Sequence, residues 1–194
     1  DASVLPEGAR VAVVGCGPIG LMAIAVLKKL GARMIIATEL GSERTRFGFA
    51  RQMGADVVLD AMMGTEAIVS EVKELTDGNG VDVALEVSGA LVAPEQVFHM
   101  LTPGGRVSIL GLYDEPVCLD VNDAITFRGA TVHGIAGRRM FETWRQTTEF
   151  LRDPGFRERI SSIITHRVPI GDIDKAIELI HLRKTGKVSL LPRW

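Results

Sequence analysis

This chain has few cysteines, little net charge and no long hydrophobic run. Cys16 and Cys118 are its two cysteines among 194 residues, too few for a disulfide framework, so we expect a reducing, cytoplasmic environment. The formal net charge of −2 argues against a nucleic-acid partner, because such surfaces depend on clustered lysine and arginine. No apolar run is long enough to span a bilayer and no signal-peptide pattern is present, so no membrane partner is expected.

The chain also lacks the spacings that build metal sites and activated nucleophiles. Its four histidines are scattered, without an H-x-x-x-H pair, and there is no C-x-x-C motif. Cys16 stands between two glycines and is better interpreted as a small buried residue. Val87-Ser88-Gly89 lacks the leading glycine of a G-x-S-x-G nucleophile elbow. We therefore predict no metal ligands and no catalytic residues within these 194 residues.

What the sequence does contain is a glycine-rich turn between a predicted strand and a predicted helix. Residues 10–14 form a short β-branched run that is typical of a buried parallel strand. Gly15, Gly17 and Gly20 then match G-x-G-x-x-G, in which the glycines permit a tight turn, close approach to a pyrophosphate, and close helix packing, respectively. Pro18 suits the first turn of a helix, whose free amides form an anion site.

An acidic residue follows the second predicted strand, 34–38. Glu39 stands nineteen residues after Gly20, close to where dinucleotide-binding folds carry the carboxylate that binds the adenosine ribose. Such a carboxylate repels a 2′-phosphate, so Glu39 favours NAD over NADP. The alternative is an incidental surface Glu. Arg44 has two interpretations, a contact to the adenine end of the cofactor or an ordinary exposed helix residue.

Strands and helices alternate along the first 137 residues, with short connections. We predict strands at 10–14, 34–38, 57–60, 81–87, 106–110 and 130–134. We predict helices at 19–30, 43–53 (capped by Ser42), 65–75 and 94–101. Apolar strands that alternate with helices indicate a parallel sheet covered on both faces. The predicted fold class is therefore α/β, a doubly wound parallel sheet of the Rossmann type with six strands, which binds its ligand at the carboxyl ends of the strands.

Small residues stand where the fourth, fifth and sixth predicted strands meet their loops. Backbone amides and carbonyls at these positions are suited to hold a nicotinamide ring and its carboxamide, the alternative being ordinary strand-ending turns. The candidate cofactor-binding residues from these loops are Val87, Ser88, Leu110, Gly111, Leu112, Ile135 and Ala136.

The alternating pattern ends at Gly137. We therefore divide the chain into an NAD-binding domain, 1–137, and a C-terminal segment, 138–194. A predicted amphipathic helix at 140–151 is ended by the Asp153-Pro-Gly155 stretch. The rest of the segment is predicted as a strand at 163–168, a helix at 172–182 and a strand at 186–191.

Several short motifs are spread along the chain. They are Gly15-Cys-Gly-Pro-Ile-Gly20, Glu86-Val-Ser-Gly89, Gly104-Gly-Arg-Val107 and Thr185-Gly-Lys-Val188. Together they resemble the motifs of medium-chain, zinc-dependent alcohol dehydrogenases. Two further stretches, 137–144 and 164–167, are most similar to the threonine dehydrogenase branch of that family. The sorbitol and butanediol branches share the general pattern.

The resemblance implies a set of cofactor contacts and a reaction. Ile19 belongs to the pyrophosphate turn, beside the cofactor-binding candidate Pro18, and Glu39 and Arg44 bind the adenosine end. Residues 110–112 flank the nicotinamide, and Ile135 and Ala136 close over it. The implied reaction is zinc-dependent oxidation of a secondary alcohol, with hydride passing to NAD⁺ and a proton relay removing the hydroxyl proton. With threonine as substrate the product is 2-amino-3-oxobutanoate.

Members of that family carry an N-terminal catalytic domain that supplies the zinc ligands and the proton relay, and nothing in this sequence matches it. We therefore expect an excised or truncated fragment that binds NAD but is inactive alone, with zinc only in the full-length parent. The tail's apolar residues, which include Ile163, Ile164, Val168 and Leu190, are then expected to lack a packing partner. Two alternatives stay open: a sorbitol- or butanediol-type dehydrogenase, and an NAD-sensing module without chemistry.

The expected partners are a small-molecule alcohol or amino-acid substrate of the parent protein and a second copy of the chain. The sixth predicted strand, 130–134, should lie at the edge of the sheet. An apolar edge strand invites pairing, so it predicts a homo-oligomer formed through that edge.

Overall fold

The structure, a computed structural model, describes residues 5–41, 44–137, 139–182 and 185–192. Six parallel strands form the main sheet in the order β3-β2-β1-β4-β5-β6. The strands are β1 (Arg10–Val14), β2 (Met34–Glu39), β3 (Val57–Asp60), β4 (Val81–Glu86), β5 (Leu101–Ile109) and β6 (Thr131–Gly134). The order reverses between β1 and β4, and ligands of open α/β sheets bind beside such a reversal. The predicted fold class is confirmed, and β6 lies at the sheet edge as predicted.

The central strands are apolar on both faces because helices cover both. In β1, Val11 and Val13 pack on one side and Ala12 and Val14 on the other, as the two-residue period of a strand requires. All four are at most 4% exposed. The helices on the first face are α1 (Pro18–Lys29) and α2 (Arg44–Met53), and those on the second are α3 (Thr65–Leu75) and α4 (Ala93–His99).

The fifth strand begins earlier than predicted. α4 ends at His99, and the chain turns at once to pair Leu101 with Val81 of β4. The register of this pairing shifts between Val81 and Val83. Residues 102–105, which lie between the predicted helix and the predicted strand, are therefore an irregular part of β5 rather than a separate connection.

The Asp153-Pro-Gly155 stretch begins a helix instead of only ending one. Its helix, α6 (Pro154–Ser162), is capped by the Asp153 carboxylate, which accepts hydrogen bonds from two backbone amides of the first turn at 2.9 and 3.3 Å. Pro154 stands in that first turn, where a missing N–H costs nothing. Phe156 of α6 is buried in the core shared with α1 and α2, so part of the C-terminal segment packs onto the main sheet's helices.

The C-terminal segment also contains a second, two-stranded parallel sheet. Ile163 and Val168 are buried, so the expectation that they lack a packing partner is wrong; Ile163 joins the core around α1 and α6. The exposed apolar face belongs mainly to the last helix, where Ile173, Ile177 and Ile180 are each about half exposed. The elements of the segment besides α6 are α5 (Glu142–Arg152), β7 (Ile164–Pro169), α7 (Ile173–His181) and β8 (Lys187–Leu191).

Short helical turns complete the fold. They are Ala61–Met63, Asn122–Thr126 and Ile170–Asp172. Within the described ranges, no helix has both the length and the apolar character needed to cross a membrane.

Candidate functional site

The loops that follow β1, β4, β5 and β6 lie side by side along the edge of the main sheet that the carboxyl ends of its strands form. Just beyond each strand end, the chain donates at least one more backbone hydrogen bond to the neighbouring strand, with N–O distances of 2.8–3.2 Å. These bonds run from Gly15 to Thr38, from Val87 to Val14, from Leu110 and Gly111 to Glu86, and from Ile135 to Ile109. Predicted site residues from four separate loops are therefore brought side by side.

The three glycines of the turn after β1 have three different surroundings. Gly15 has φ +102°, and a Cβ placed on it would lie 2.8 Å from the Cβ of Ser88. A Cβ on Gly20 would lie 1.9 Å from the carbonyl oxygen of Gly15, so this glycine lets α1 pack directly on the turn. A Cβ on Gly17 would meet no atom within 4 Å. The backbone at Gly17 is thus open to a ligand, as the pyrophosphate prediction requires.

The start of α1 has free backbone amides. Gly17 is the N-cap, Pro18 is the first residue, and no side chain caps the helix. The first turn also contains no acidic residue. The helix start therefore keeps the partial positive charge that attracts an anion. Ile19, predicted to lie in this turn, is 55% exposed.

Glu39 ends β2 beside the glycine turn and is 7% exposed. Its Oε2 accepts a hydrogen bond from the backbone N–H of Cys16 at 2.9 Å, and its Oε1 accepts one from the N–H of Leu40 at 3.0 Å. These bonds fix the carboxylate against the turn. Because each carboxylate oxygen has two acceptor positions, the group can still accept a hydrogen bond from a ribose hydroxyl.

Glu39 has a charged neighbour that was not among the predicted site residues. Nη1 of Arg46 lies 3.7 Å from Glu39 Oε2, and the Arg46 side chain is 14% exposed. Its position two residues after Arg44 on α2 was the available signal. The side chain of Arg44 and the whole of Ser42, the predicted cap, lie outside the described residues.

The thiol of Cys16 is buried inside the glycine turn. Its Sγ donates a weak hydrogen bond to the carbonyl oxygen of Thr38 at 3.6 Å. Burial raises the pKa of the thiol to about 12; the charge of Glu39 also raises it, and that of Arg46 opposes the change. Cys16 is therefore a neutral thiol at physiological pH. This state suits neither nucleophilic attack nor metal binding, in agreement with its interpretation as a small buried residue.

A second carboxylate, that of Glu86 at the end of β4, ties together the loops after β4 and β5. Glu86 is fully buried. Its Oε1 accepts hydrogen bonds from the Ser88 hydroxyl at 2.6 Å and from the N–H groups of Ser88 and Gly89 at 2.8 and 3.0 Å. Its Oε2 accepts the Tyr113 hydroxyl at 2.8 Å. A Cβ on Gly111 would lie 2.0 Å from that Oε2, so only glycine lets the second loop come this close.

The Tyr113 hydroxyl remains a donor in this network. Burial, together with the hydrogen bond to Glu86, raises its pKa above the usual value. The local sequence marks Glu86 as a carboxylate at the end of an apolar strand and just before Ser-Gly, but it does not indicate that this residue joins two loops. Nothing in the sequence indicated Tyr113.

The remaining predicted residues line the same edge with different exposures. Val87 and Leu110 are partly buried, whereas Ser88 and Leu112 are exposed, Leu112 by 92%. The 135–136 pair after β6 is exposed as well. Their contact with a nicotinamide stays a prediction.

Two other features bear on possible ligands. In the part of the chain that the structure describes, no group of three or more His, Cys, Asp or Glu side chains is arranged to hold a metal ion. A shallow groove on α5 contains none of the predicted cofactor residues. It is lined by Phe141, Trp144, Arg145, Thr148, Glu149 and Arg152.

Known proteins match most of the chain. The family described as zinc-binding dehydrogenase matches residues 18–153. An L-threonine 3-dehydrogenase of Bacillus licheniformis is 44% identical over 188 residues, which are 97% of this chain and 53% of that protein. The chain spans about half the length of the curated relatives it matches.

Solved structures of dehydrogenases also match this chain over about half of their own length. An alcohol dehydrogenase from Thermotoga maritima superposes with a TM-score of 0.85 at 28% identity, covering 96% of this chain and 51% of that one. The 2R,3R-butanediol dehydrogenase of Bacillus subtilis superposes with a TM-score of 0.79 at 30% identity, covering 98% of this chain and 53% of that one. With the family match extending over most of the sequence, this chain belongs to the zinc-binding dehydrogenase family.

Proposed function

We propose that this chain is the NAD-binding portion of a zinc-dependent secondary-alcohol dehydrogenase. One observation carries the proposal: an open glycine turn and an uncapped helix start lie beside a fixed carboxylate, at the edge where the strand order reverses. The glycine turn and helix start suit the pyrophosphate of a dinucleotide, and the carboxylate suits its adenosine ribose. NAD would supply the acceptor for a hydride from the alcohol.

The residues of this edge divide the binding work between them. Backbone amides at Gly17 and the start of α1 bind the pyrophosphate, because their partial positive charge is free and the approach is open. Glu39 accepts the ribose hydroxyls and disfavours a 2′-phosphate. The loops held by Glu86 and the pair 135–136 position the nicotinamide half and exclude water from one of its faces.

We propose L-threonine as the substrate of the complete protein, with 2-amino-3-oxobutanoate as product. Support comes from relatives named L-threonine 3-dehydrogenase, which are 38–44% identical to this chain. A second candidate is a polyol or diol substrate, favoured by the similarity to a butanediol dehydrogenase. An NAD-sensing module without chemistry fits the glycine turn equally well but does not account for the match of the C-terminal segment to dehydrogenases.

The zinc ligands and the proton relay are proposed to come from residues outside these 194. The described residues offer no suitable cluster, so no chemical step is assigned to a metal here. We accordingly propose that 1–137 is the NAD-binding domain, that 138–194 completes the catalytic domain, and that the chain alone does not turn over.

Two further proposals concern assembly and location. β6 is an edge strand with Thr131 and Val132 exposed, which suits pairing with a second copy of the chain. Cys16 and Cys118 are both free thiols, which suits a reducing cytoplasm.

The test combines binding with turnover on the same purified chain. Isothermal titration with NAD⁺ should saturate at about one NAD⁺ per chain, the stoichiometry of a single dinucleotide fold. L-threonine oxidation, followed by NADH absorbance, should be absent with and without added Zn²⁺. Gly48→Ala is a control for the effect of an added methyl group away from the site, since its Cβ enters open space on α2; it should bind NAD⁺ as wild type does. Absence of NAD⁺ binding contradicts the cofactor assignment, and turnover contradicts the proposal that catalytic groups lie elsewhere.

A further inference from the structure

Arg46 is placed to influence the charge at the ribose end of the proposed cofactor site. Its Nη1 lies 3.7 Å from Oε2 of Glu39, and both side chains are largely buried, 14% and 8% exposed. Its Nε–H is buried as well, and none of the described residues accepts a hydrogen bond from it. The guanidinium therefore has a free donor close to the carboxylate that is expected to meet the ribose.

The Glu39 carboxylate and the Arg46 guanidinium have opposite effects on an anion that binds beside them. Glu39 is fixed by the N–H groups of Cys16 and Leu40, so it cannot simply rotate away from the turn. The Cys16 thiol responds to both charges, since Glu39 raises its pKa and Arg46 lowers it. A phosphate at the ribose 2′ position would likewise be repelled by Glu39 and attracted by Arg46. The net selectivity depends on both residues, not on the acid alone.

We propose that Arg46 is a specificity-determining residue, which offsets part of the repulsion of a 2′-phosphate by Glu39 and binds that phosphate once Glu39 is neutralised. The ligand class is a 2′-phosphorylated adenosine, as in NADP. The inference rests on the proposed function, in that this sheet edge binds a dinucleotide. It adds that discrimination between NAD and NADP is held in the Glu39–Arg46 pair. Arginine suits this role because its fork of N–H donors matches phosphate oxygens.

A double-mutant cycle tests the proposal with binding as the readout. The chains are wild type, Glu39→Gln, Arg46→Met and the double variant. NAD⁺, NADP⁺ and adenosine 2′,5′-bisphosphate are each titrated calorimetrically, and circular dichroism checks that every chain folds. The bisphosphate carries the 2′-phosphate without the nicotinamide half, so it reports the ribose end alone.

The expected pattern is strongly non-additive. Glu39→Gln should strengthen NADP⁺ binding about tenfold or more, and adding Arg46→Met should remove most of that gain. Arg46→Met alone should weaken NADP⁺ binding about threefold or more while changing NAD⁺ binding by less than about twofold. Arg46→Lys in the Glu39→Gln background should retain part of the gain, because the charge remains and the fork is lost.

Arg51→Met is the matched control, since it removes the same charge from an exposed position on the same helix. It should leave both affinities within about twofold, because exposed charges beyond contact range are screened. An equal NADP⁺ gain from Glu39→Gln with and without Arg46 overturns the inference while leaving the proposed function standing. A wild-type chain that binds neither dinucleotide overturns both.

Discussion

Gly17 and Gly20 give the sharpest separation between binding and stability. The two changes are Gly17→Ala and Gly20→Ala, identical in chemistry and three residues apart. At Gly20 the new methyl group would lie 1.9 Å from the carbonyl oxygen of Gly15 and 3.3 Å from a side-chain carbon of Val87, so backbone must move. At Gly17 it enters open space, and the φ of −66° is ordinary for alanine. Gly17→Ala should bind NAD⁺ poorly and fold normally, whereas Gly20→Ala should fold poorly.

The magnitudes follow from the same geometry. Forcing a methyl group into the packed turn at Gly20 costs about 3 kcal/mol, and better helix propensity returns about 1, leaving a loss of about 2 kcal/mol in the free energy of unfolding. At Gly17 the poorer N-cap and the smaller unfolded-state entropy of alanine roughly cancel, to within about 0.5 kcal/mol. The methyl group there separates backbone amides from a phosphate, which should weaken NAD⁺ binding about tenfold, or about 1.4 kcal/mol.

Urea unfolding followed by circular dichroism gives the stabilities, and calorimetric titration gives the affinities. Gly48→Ala on α2, whose methyl group also enters open space, should raise the free energy of unfolding by about 1 kcal/mol without changing NAD⁺ affinity. NAD⁺ binding by Gly17→Ala as tight as that of wild type would exclude a pyrophosphate site at Gly17, and destabilisation equal to that of Gly20→Ala would exclude open space there.

Further predictions follow from the buried thiol, the buried carboxylate and the cap of α6. A disulfide reagent at pH 8 should titrate the exposed Cys118 in the native chain and reach the buried Cys16, whose pKa is raised to about 12, only after unfolding; two fast thiols contradict this. Glu86→Ala should lower the free energy of unfolding by about 3 kcal/mol in urea melts, because four donors lose one shared acceptor; an unchanged midpoint counts against the network. The pKa of Asp153 is lowered, chiefly by its hydrogen bond from Lys29, so its contribution to stability is present above its unfolded-state pKa and is lost as the pH falls through the lowered value. Asp153→Asn should therefore flatten the acid side of the stability–pH curve, and an identical curve excludes that contribution.

Local sequence patterns account for the main sheet and the glycine turn. β1, β3 and α3 have the bounds predicted, because short apolar runs and glycine-rich turns are signals carried within a few residues. The placement of Gly15, Gly17 and Gly20 follows from spacing alone. Topology then puts the other loops at the same edge, since all six strands are parallel.

Long-range contacts and ambiguous turn signals account for the misses. Asp153-Pro-Gly155 ends α5 and begins α6; the sequence predicted the end of the first helix but not the second helix, whose Phe156 packs against the main core. The partnership of Glu86 with Tyr113 spans 27 residues, so no local pattern could show it. The Arg46–Glu39 pair depends on how α2 lies beside β2, which periodicity does not determine.

A map of amide chemical shifts during titration with NAD⁺ reports where the cofactor binds as well as whether it binds, so it tests directly whether this edge of the sheet is the NAD site. On the ¹⁵N-labelled chain, we expect saturable shifts at the edge formed by the loops after β1, β2, β4, β5 and β6, largest near Gly17 and Glu39. Shifts confined to the groove around Phe141 and Trp144, or no shifts at saturating NAD⁺, would contradict it.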